Sequence, residues 1–583
     1  MKKLMIGNEA IARGAYEAGA TVGAAYPGTP STEIMEFFKE YEGVYAEWAP
    51  NEKVALEVGC GASLGGARTL VAMKHVGVNV AADPLYTFSY TGVNGGLVLV
   101  SADDPGMHSS QNEQDNRGYG KFAKLPVLEP ADSQEAKDFV ALAFSLSEEF
   151  DTPVMVRVTT RLAHSQSMVE EGERREIPLK PYVKDAAKYV MLPGHARLRH
   201  VEVEKRMAAL RRYVEESPLN RVEWGSRETG VITSGVSYQY VKEVMPEVSV
   251  LKLGIVNPLP EKLIRDFAGQ VKRVVVVEEL EPVIEEQLRA WGIAVQGKDV
   301  LPRTGEYSPE LLEERLLGRK AAEAYALDAA IPPRPPLMCP GCPHRGVFYT
   351  LNRMKLTVCG DIGCYTLGAL KPLAAMDTTI CMGASIGTAL GMEKARGAEW
   401  ARKAVAVIGD STFVHSGITP LIDVVYNQGM STVIILDNET TAMTGHQNHP
   451  ATGLTLNNTD TVRLDLESVC RAVGVKRVRT VDPLNLKELE NALQEELAAR
   501  EPSVIIARRP CALIPGAGLG EKSYYVDTVA CKGCKLCIKL GCTGVYWIEE
   551  EKLARINPDL CVGCGLCLQV CKLDAILEGE GKE

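Results

Sequence analysis

Eight of the chain's sixteen cysteines lie between Cys531 and Cys571, spaced Cys531-x2-Cys534-x2-Cys537-x4-Cys542 and Cys561-x2-Cys564-x2-Cys567-x3-Cys571. Thiolates repeated this closely suit iron–sulfur ligation. Two structural zinc sites are the alternative, although zinc ribbons rarely pack three cysteines at x2, x2 spacing. A further pair, Cys339 and Cys342 in "CPGCPHRG", looks like half of a metal site, yet no second CxxC follows within zinc-ribbon distance. Only Cys60 lies in the first 338 residues. The N-terminus has no apolar run of signal-peptide length, so the clustered cysteines point to metal or redox chemistry rather than disulfides.

A second constellation sits in the strand–turn segments "AVAVIGDSTF" and "STVIILDNETTAMTGHQ". The first ends a buried strand in Gly409-Asp410-Ser411, the second in Asp437-Asn438. Ligands of open α/β sheets bind at the carboxyl ends of strands. A carboxylate and an amide oxygen there, with room for a backbone carbonyl, suit Mg²⁺, which completes its shell with phosphate. A helix N-terminus nearby would favour that anion.

The elements that must position these groups alternate in type. "GATVGAAYPGTPS", "ARTLVAMKH" and "GGLVLVSADDPG" read as strands with polar turns, and "SQEAKDFVALAFSLSEEF" as a helix. This rhythm predicts a parallel sheet covered on both faces. A charged helical stretch, "HARLRHVEVEKRMAALRRYVEE", leads into a second α/β region with strands in "TGVITSG", "VSVLKLG" and "VKRVVVVEEL". The prolines of "AAIPPRPPLM" make a linker. A third α/β region follows, with "AVAVIGD", "STVIILDN" and "PSVIIARR" as buried strands and "ITPLIDVVYNQG" as a helix; "PGAGLGEKS" is a second linker. The chain carries a net charge of −11, spread without a basic stripe, which argues against a nucleic-acid partner. No segment has the ~18 unbroken apolar residues of a membrane span. The expectation is a soluble, cytoplasmic protein.

The tail resembles a bacterial two-cluster ferredoxin. That pattern implies one [4Fe–4S] on Cys531, Cys534, Cys537 and Cys571, and a second on Cys561, Cys564, Cys567 and Cys542. The x4 spacing before Cys542 and the absence of a Cys-Pro ending depart from it. Gly409-Asp410-Ser411 followed by Asn438 resembles the thiamine diphosphate motif, with Ser411 and Asp437 standing where that motif usually has glycine and asparagine. The implied Mg²⁺ ligands are Asp410, Asn438 and the carbonyl of Thr440. Together with "AYPGTPSTEI", "MKHVGVNVAADPL", "DDPGMHSSQNEQDNR", "CPGCPHRG" and "GDIGCYTLG", these strings resemble the large subunit of indolepyruvate ferredoxin oxidoreductases, in order and over nearly the whole chain.

The resemblance implies an α/β architecture in six parts. These are a pyrimidine-binding domain (1–180), a transketolase C-terminal-like middle domain (181–328), a linker (329–338), a diphosphate-binding domain (339–512), a linker (513–523) and a two-[4Fe–4S] ferredoxin-like domain (524–583). It implies a glutamate against the thiamine aminopyrimidine. Glu52, fourteen residues before Gly66-Ala67, fits better than Glu57. Thr29 is implied to contact the substrate carboxylate, with a turn threonine as the plain alternative. His75, His108 and His415 stay open between pocket and packing roles. Cys339, Cys342, Cys364 and Cys511 are implied to hold a proximal [4Fe–4S], against a zinc site or four unlinked thiols, which leaves Cys60, Cys359, Cys381 and Cys470 as buried thiols. The implied reaction converts an arylpyruvate and CoA to an arylacetyl-CoA with reduction of ferredoxin. A smaller beta subunit in an α2β2 assembly is implied as partner. A non-oxidative thiamine decarboxylase and an electron-transfer subunit without turnover are the rival readings.

Overall fold

The computed structural model describes residues 1–319, 331, 334–520 and 522–579. Part of the proline-rich linker at 329–338 lies outside the described residues, as do position 521 of the second linker and residues 580–583. The chain divides into two compact units, Met1–Ala330 and Ile331–Glu583.

The first unit is organised by a sheet in the order 255–257, 127–128, 154–159, 97–103, 69–74, 22–25, 45–48. All neighbours are parallel except 255–257 against 127–128. Strands Thr69–Lys74, Leu97–Asp103 and Val154–Thr159 are buried along their whole length. That is why they read as unbroken apolar runs rather than alternating ones. The helix expected around residue 140 spans Ser133–Phe150; the Asp132 carboxylate accepts the Glu135 N–H at 2.9 Å and so caps it. A second sheet, 273–277, 226–234, 248–253, 221–223, belongs to the region expected as a middle domain. The two regions share one apolar core, since Ile232, Leu251 and Val276 cluster with Leu97, Leu99 and Met155. Strand Ile255–Asn257 even extends the first sheet.

Buried charge joins the same two regions. The Arg117 guanidinium, 1% exposed, donates to Glu278 Oε2 at 2.7 Å and to the carbonyls of Glu279 and Glu281 at 3.1 and 2.9 Å, while also pairing with Asp115. Arg157 donates to Asp103 and Glu129 at 2.8 and 2.6 Å. Breaking one partner of such a buried pair typically costs about 3–5 kcal/mol.

The second unit is built on an all-parallel sheet in the order 357–359, 404–409, 432–437, 503–508, 477–481. Its tail is made of two antiparallel ribbons, 524–526 with 576–578 and 545–548 with 553–556. The tail packs its Leu540, Leu566 and Val570 against Leu484, Leu486 and Tyr349 of the same unit. Among the described residues no helix is long and apolar enough to cross a membrane.

Glu279 supplies a pH test of the first unit. Burial pushes its carboxyl up to about 7 from 4.5, against the pull of the Tyr307 N–H donated to it at 2.9 Å. The folded state therefore holds a proton that the unfolded chain has released. The stability this proton contributes is fully present below pH 4.5 and is lost as the pH rises to about 7. Glu279→Gln keeps the acceptor and removes the titration. The melting transition of the first unit is expected to fall less between roughly pH 5 and 7 in the variant than in the wild type, read by calorimetry at both pH values.

Candidate functional site

In the second unit, strands Ala404–Gly409 and Thr432–Asp437 are parallel neighbours with Gly409 opposite Leu436, so Asp410 and Asn438 emerge from adjoining carboxyl ends. Asp410, 2% exposed, accepts the Ser411 N–H on Oδ1 at 2.8 Å and the Asn438 and Glu439 N–H groups on Oδ2 at 3.1 and 2.8 Å. Burial would raise this carboxyl, but His449, with Nε2 3.4 Å from Oδ2, and the amide donors hold it below the usual range. The Asn438 side-chain oxygen lies 3.2 Å from Asp410 Oδ1 and 2.9 Å from the Thr440 carbonyl oxygen. Reversing the amide would let its NH₂ donate to both. With the side-chain oxygen turned inward, the turn offers three acceptor oxygens, the arrangement a bound cation would require. Bonds of about 2.0–2.1 Å at right angles around Mg²⁺ would set its oxygens ~3 Å apart, so this donor set fits a hard divalent cation. Gly409 packs under Tyr365, where a Cβ would come within 2.8 Å of the ring, and the Ser411 hydroxyl accepts from Thr441 Oγ1 at 2.9 Å.

The same unit gathers cysteines into three groups. Cys531, Cys534, Cys537 and Cys571 line one cavity of the tail, and Cys542, Cys561, Cys564 and Cys567 line another. The third group draws on distant parts of the sequence. Burial pushes the Cys342 thiol up to about 12, and Cys339 and Cys364 add to it; Cys364 rises to about 11 by burial with Cys511 and Cys339 beside it. The Cys511 N–H donates to the Asn438 carbonyl at 3.0 Å, so this group borders the oxygen triad. Bound iron would reverse the thiol logic, because a coordinating thiol is deprotonated outright. Pro340 and Gly341 of the CPGC loop help line the Cys542 cavity. Gly341 has φ +71°, and a Cβ there would meet Val562 at 2.5 Å, so only glycine suits this turn.

In the first unit, helix Glu52–Leu64 starts at Asn51, whose side chain accepts the Val54 N–H at 2.9 Å. Glu52 is 5% exposed and lies over Gly77, where a Cβ would stand 2.7 Å from Oε1. Glu57 is solvated and pairs with Lys53. Thr29 is half-buried, with its carbonyl accepting from Ser109 Oγ at 3.4 Å. Of the three open histidines, His75 is fully buried against the Asn112 carbonyl at 3.3 Å, His108 is exposed and 3.2 Å from Glu306, and His415 is buried with Nδ1 2.5 Å from Ser416 Oγ. The expectation of four buried spare thiols needs correction. Cys359 and Cys470 are buried and Cys60 is partly so, but Cys381 is exposed, because it opens the turn before helix Ala384–Arg396 rather than packing beneath it.

Three family models match the chain. Residues 13–211 match the thiamine diphosphate-binding domain of pyruvate flavodoxin/ferredoxin oxidoreductases, 361–507 the C-terminal binding domain of thiamine pyrophosphate enzymes, and 554–577 a 4Fe-4S binding domain. Indolepyruvate oxidoreductase subunit IorA of Archaeoglobus fulgidus is 44% identical over 99% of this chain and 97% of its own. The subunit of the same name from Pyrococcus horikoshii is 41% identical over 99% of this chain and 98% of its own. The chain belongs to the indolepyruvate oxidoreductase subunit IorA family. It is thus a subunit of a thiamine-dependent 2-oxoacid oxidoreductase with iron–sulfur electron transfer.

Sequence reasoning missed several residues of this IorA-family chain. His449 beside Asp410 lies outside the quoted strings, while His446, with Nε2 3.8 Å from Cys511 Sγ, and Lys74 at a strand end lie inside "STVIILDNETTAMTGHQ" and "MKHVGVNVAADPL" without being singled out there. Arg345 was hidden in plain view inside "CPGCPHRG". It is buried and donates to the carbonyls of Met338, Cys339 and Leu540 at 2.7, 3.0 and 2.9 Å, fastening the CPGC loop to the tail. Arg345→Met leaves those acceptors without their donor, at about 1–3 kcal/mol for each one buried. The tail is expected to be cut by protease several-fold faster in the variant at matched protein and iron concentrations, as followed by gel electrophoresis.

Proposed function

We propose that the chain is the large subunit of a cytoplasmic enzyme that oxidatively decarboxylates arylpyruvates, indolepyruvate among them. The balanced reaction is arylpyruvate + CoA + two oxidised ferredoxins → arylacetyl-CoA + CO₂ + two reduced ferredoxins + H⁺. A smaller beta subunit completes it, in an α2β2 assembly. One observation carries the reading: three groups of four cysteines share a unit with the oxygen triad of Asp410, Asn438 and Thr440. The names of the relatives support the substrate.

Thiamine diphosphate, when bound, supplies the carbanion chemistry of 2-oxo acid decarboxylation. Asp410, Asn438 and the Thr440 carbonyl would hold its Mg²⁺, with Gly409 and Ser411 shaping the turn around the diphosphate. Glu52 would hold a proton at the aminopyrimidine N1′, shielded from water by burial. Thr29 would meet the substrate carboxylate. Cys339, Cys342, Cys364 and Cys511 would hold the cluster nearest the diphosphate, since Cys511 is bonded to Asn438. The CPGC loop lines the cavity of Cys542, Cys561, Cys564 and Cys567, so those thiols would hold the next cluster along. The cluster of Cys531, Cys534, Cys537 and Cys571 would be outermost, with exposed Cys534 at its rim.

The test is anaerobic turnover of a panel of 2-oxo acids by the two-subunit complex, with and without CoA and with and without ferredoxin. Arylpyruvate consumption is expected to require both, and Glu52→Gln to lower the rate by about 10² to 10⁴-fold with thiamine diphosphate still bound. Acceptor-independent release of an aldehyde at full rate would make the enzyme a decarboxylase instead. The wild-type chain is expected to hold about twelve irons, as three four-iron clusters. Cys364→Ser should lower this to about eight, measured by iron analysis, while the two tail clusters keep their reduced electron paramagnetic resonance signals.

A further inference from the structure

Lys74 ends the inner strand Thr69–Lys74 of the first sheet. Its neighbours there, 22–25 and 97–103, run on into the Gly28–Thr29 turn and the loop from Asp104 to Ser110. Those two turns therefore flank the lysine. Gly28 lies directly over it, since a Cβ at 28 would stand 3.2 Å from the Lys74 Cβ. Ser109 ties the two turns together through its hydroxyl, which donates to the Thr29 carbonyl at 3.4 Å. The lysine is 8% exposed, and among the described residues its ammonium donates one hydrogen bond, to the Ser109 carbonyl at 2.6 Å.

An ammonium has three protons to place, and burying one without an anion is costly. Asp104 is the carboxylate whose charge acts on it, but the oxygens of Asp104 are engaged elsewhere. Oδ2 accepts from the Ser109 N–H at 2.9 Å and the Ser110 hydroxyl at 2.5 Å, and Oδ1 accepts from Thr160 at 2.7 Å. Burial outweighs the attraction of Asp104 and lowers the Lys74 ammonium to about 8. The result is a cation with spare donors at the sheet edge that also carries Thr29 and Glu52 (the Asp410 triad, by contrast, has its own cation chemistry in the other unit). A small carboxylate is the chemistry that would take up those donors.

We propose that Lys74 is a substrate-binding cation that pairs with the carboxylate of the 2-oxo acid beside Thr29. The proposal rests on the 2-oxo acid reading above. Wild-type turnover of arylpyruvate tests that reading alone, before any variant is made. The pairing holds the carboxylate equally in the bound substrate and in the rate-limiting transition state, so its loss falls on KM rather than kcat.

The experiment uses the assembled complex with thiamine diphosphate and iron quantified for each sample. Its probes are arylacetate, which keeps the ring and the carboxylate, and arylacetamide, which keeps the ring and is neutral. In Lys74→Met, the KM for arylpyruvate and the Ki of arylacetate are both expected to rise about tenfold or more, as for a lost hydrogen bond to a charged group. The Ki of arylacetamide and kcat are expected to stay within about twofold, and Lys74→Arg to restore most of the arylacetate affinity. Equal weakening of both probes, or of neither, overturns the proposal and leaves Lys74 a packing residue. A wild-type enzyme that binds arylacetamide as tightly as arylacetate overturns it without any variant, so the outcome does not depend on Lys74→Met assembling.

Discussion

The Asn438 side-chain oxygen, turned toward Asp410 Oδ1 and the Thr440 carbonyl oxygen at 3.2 and 2.9 Å, is repelled by both unless a positive charge lies between them. In the second unit this constraint is created by the sheet itself. Adjoining parallel strands deliver Asp410 and Asn438 side by side, and the turn after Asn438 brings in the Thr440 carbonyl. Three backbone N–H groups hold the Asp410 carboxylate in the one orientation that faces them. The following strand, Ser503–Arg508, pairs with Thr432–Asp437 and ends where Cys511 can donate to the Asn438 carbonyl. The placement of the Asp410–Asn438 turns and of Cys511 thus follows from one shared strand, Thr432–Asp437.

The cysteine groups extend that arrangement toward the surface of the unit. Without iron, burial keeps thiols such as Cys342, Cys364 and Cys567 protonated, with values of about 11 to 12. Iron binding at these thiols would therefore be coupled to proton release. Arg345 is the cation acting on both Cys342 and Cys564. Its guanidinium is spent on three carbonyls, so it serves as a staple between the CPGC loop and the tail.

The first unit solves a different problem. Its sheet edge presents Thr29, Glu52 and Lys74 from successive turns, and beneath that edge a network of buried arginines and carboxylates ties the pyrimidine-binding region to its neighbour. A shared apolar core alone would let the two regions slide. Directional bonds from Arg117 to a carboxylate and two carbonyls fix their register.

Much of this was legible in the sequence, because it is carried by local chemistry. The buried strands around Val71, Val100, Val407, Ile434 and Ile505 announced themselves as apolar runs between turns, and ligand-type residues at their ends marked the Asp410–Asn438 turn pair. Cysteine spacing marked the tail. The separation of Glu52 from Glu57 was anticipated only through family spacing; burial under Gly77 against an ion pair with Lys53 is a property of the folded helix. The shared core of residues 1–180 and 181–328 was invisible, since strand order is set by pairings between segments more than a hundred residues apart, such as Ile255 with Leu128. For the same reason nothing singled out Lys74, His449 or Arg345: each is an ordinary polar residue until neighbouring strands and loops exclude water around it and choose its partners. The sequence by itself determined which residue types stand at the strand ends; the tertiary structure alone decided which of them are dry, and dryness is what turns a charge into chemistry.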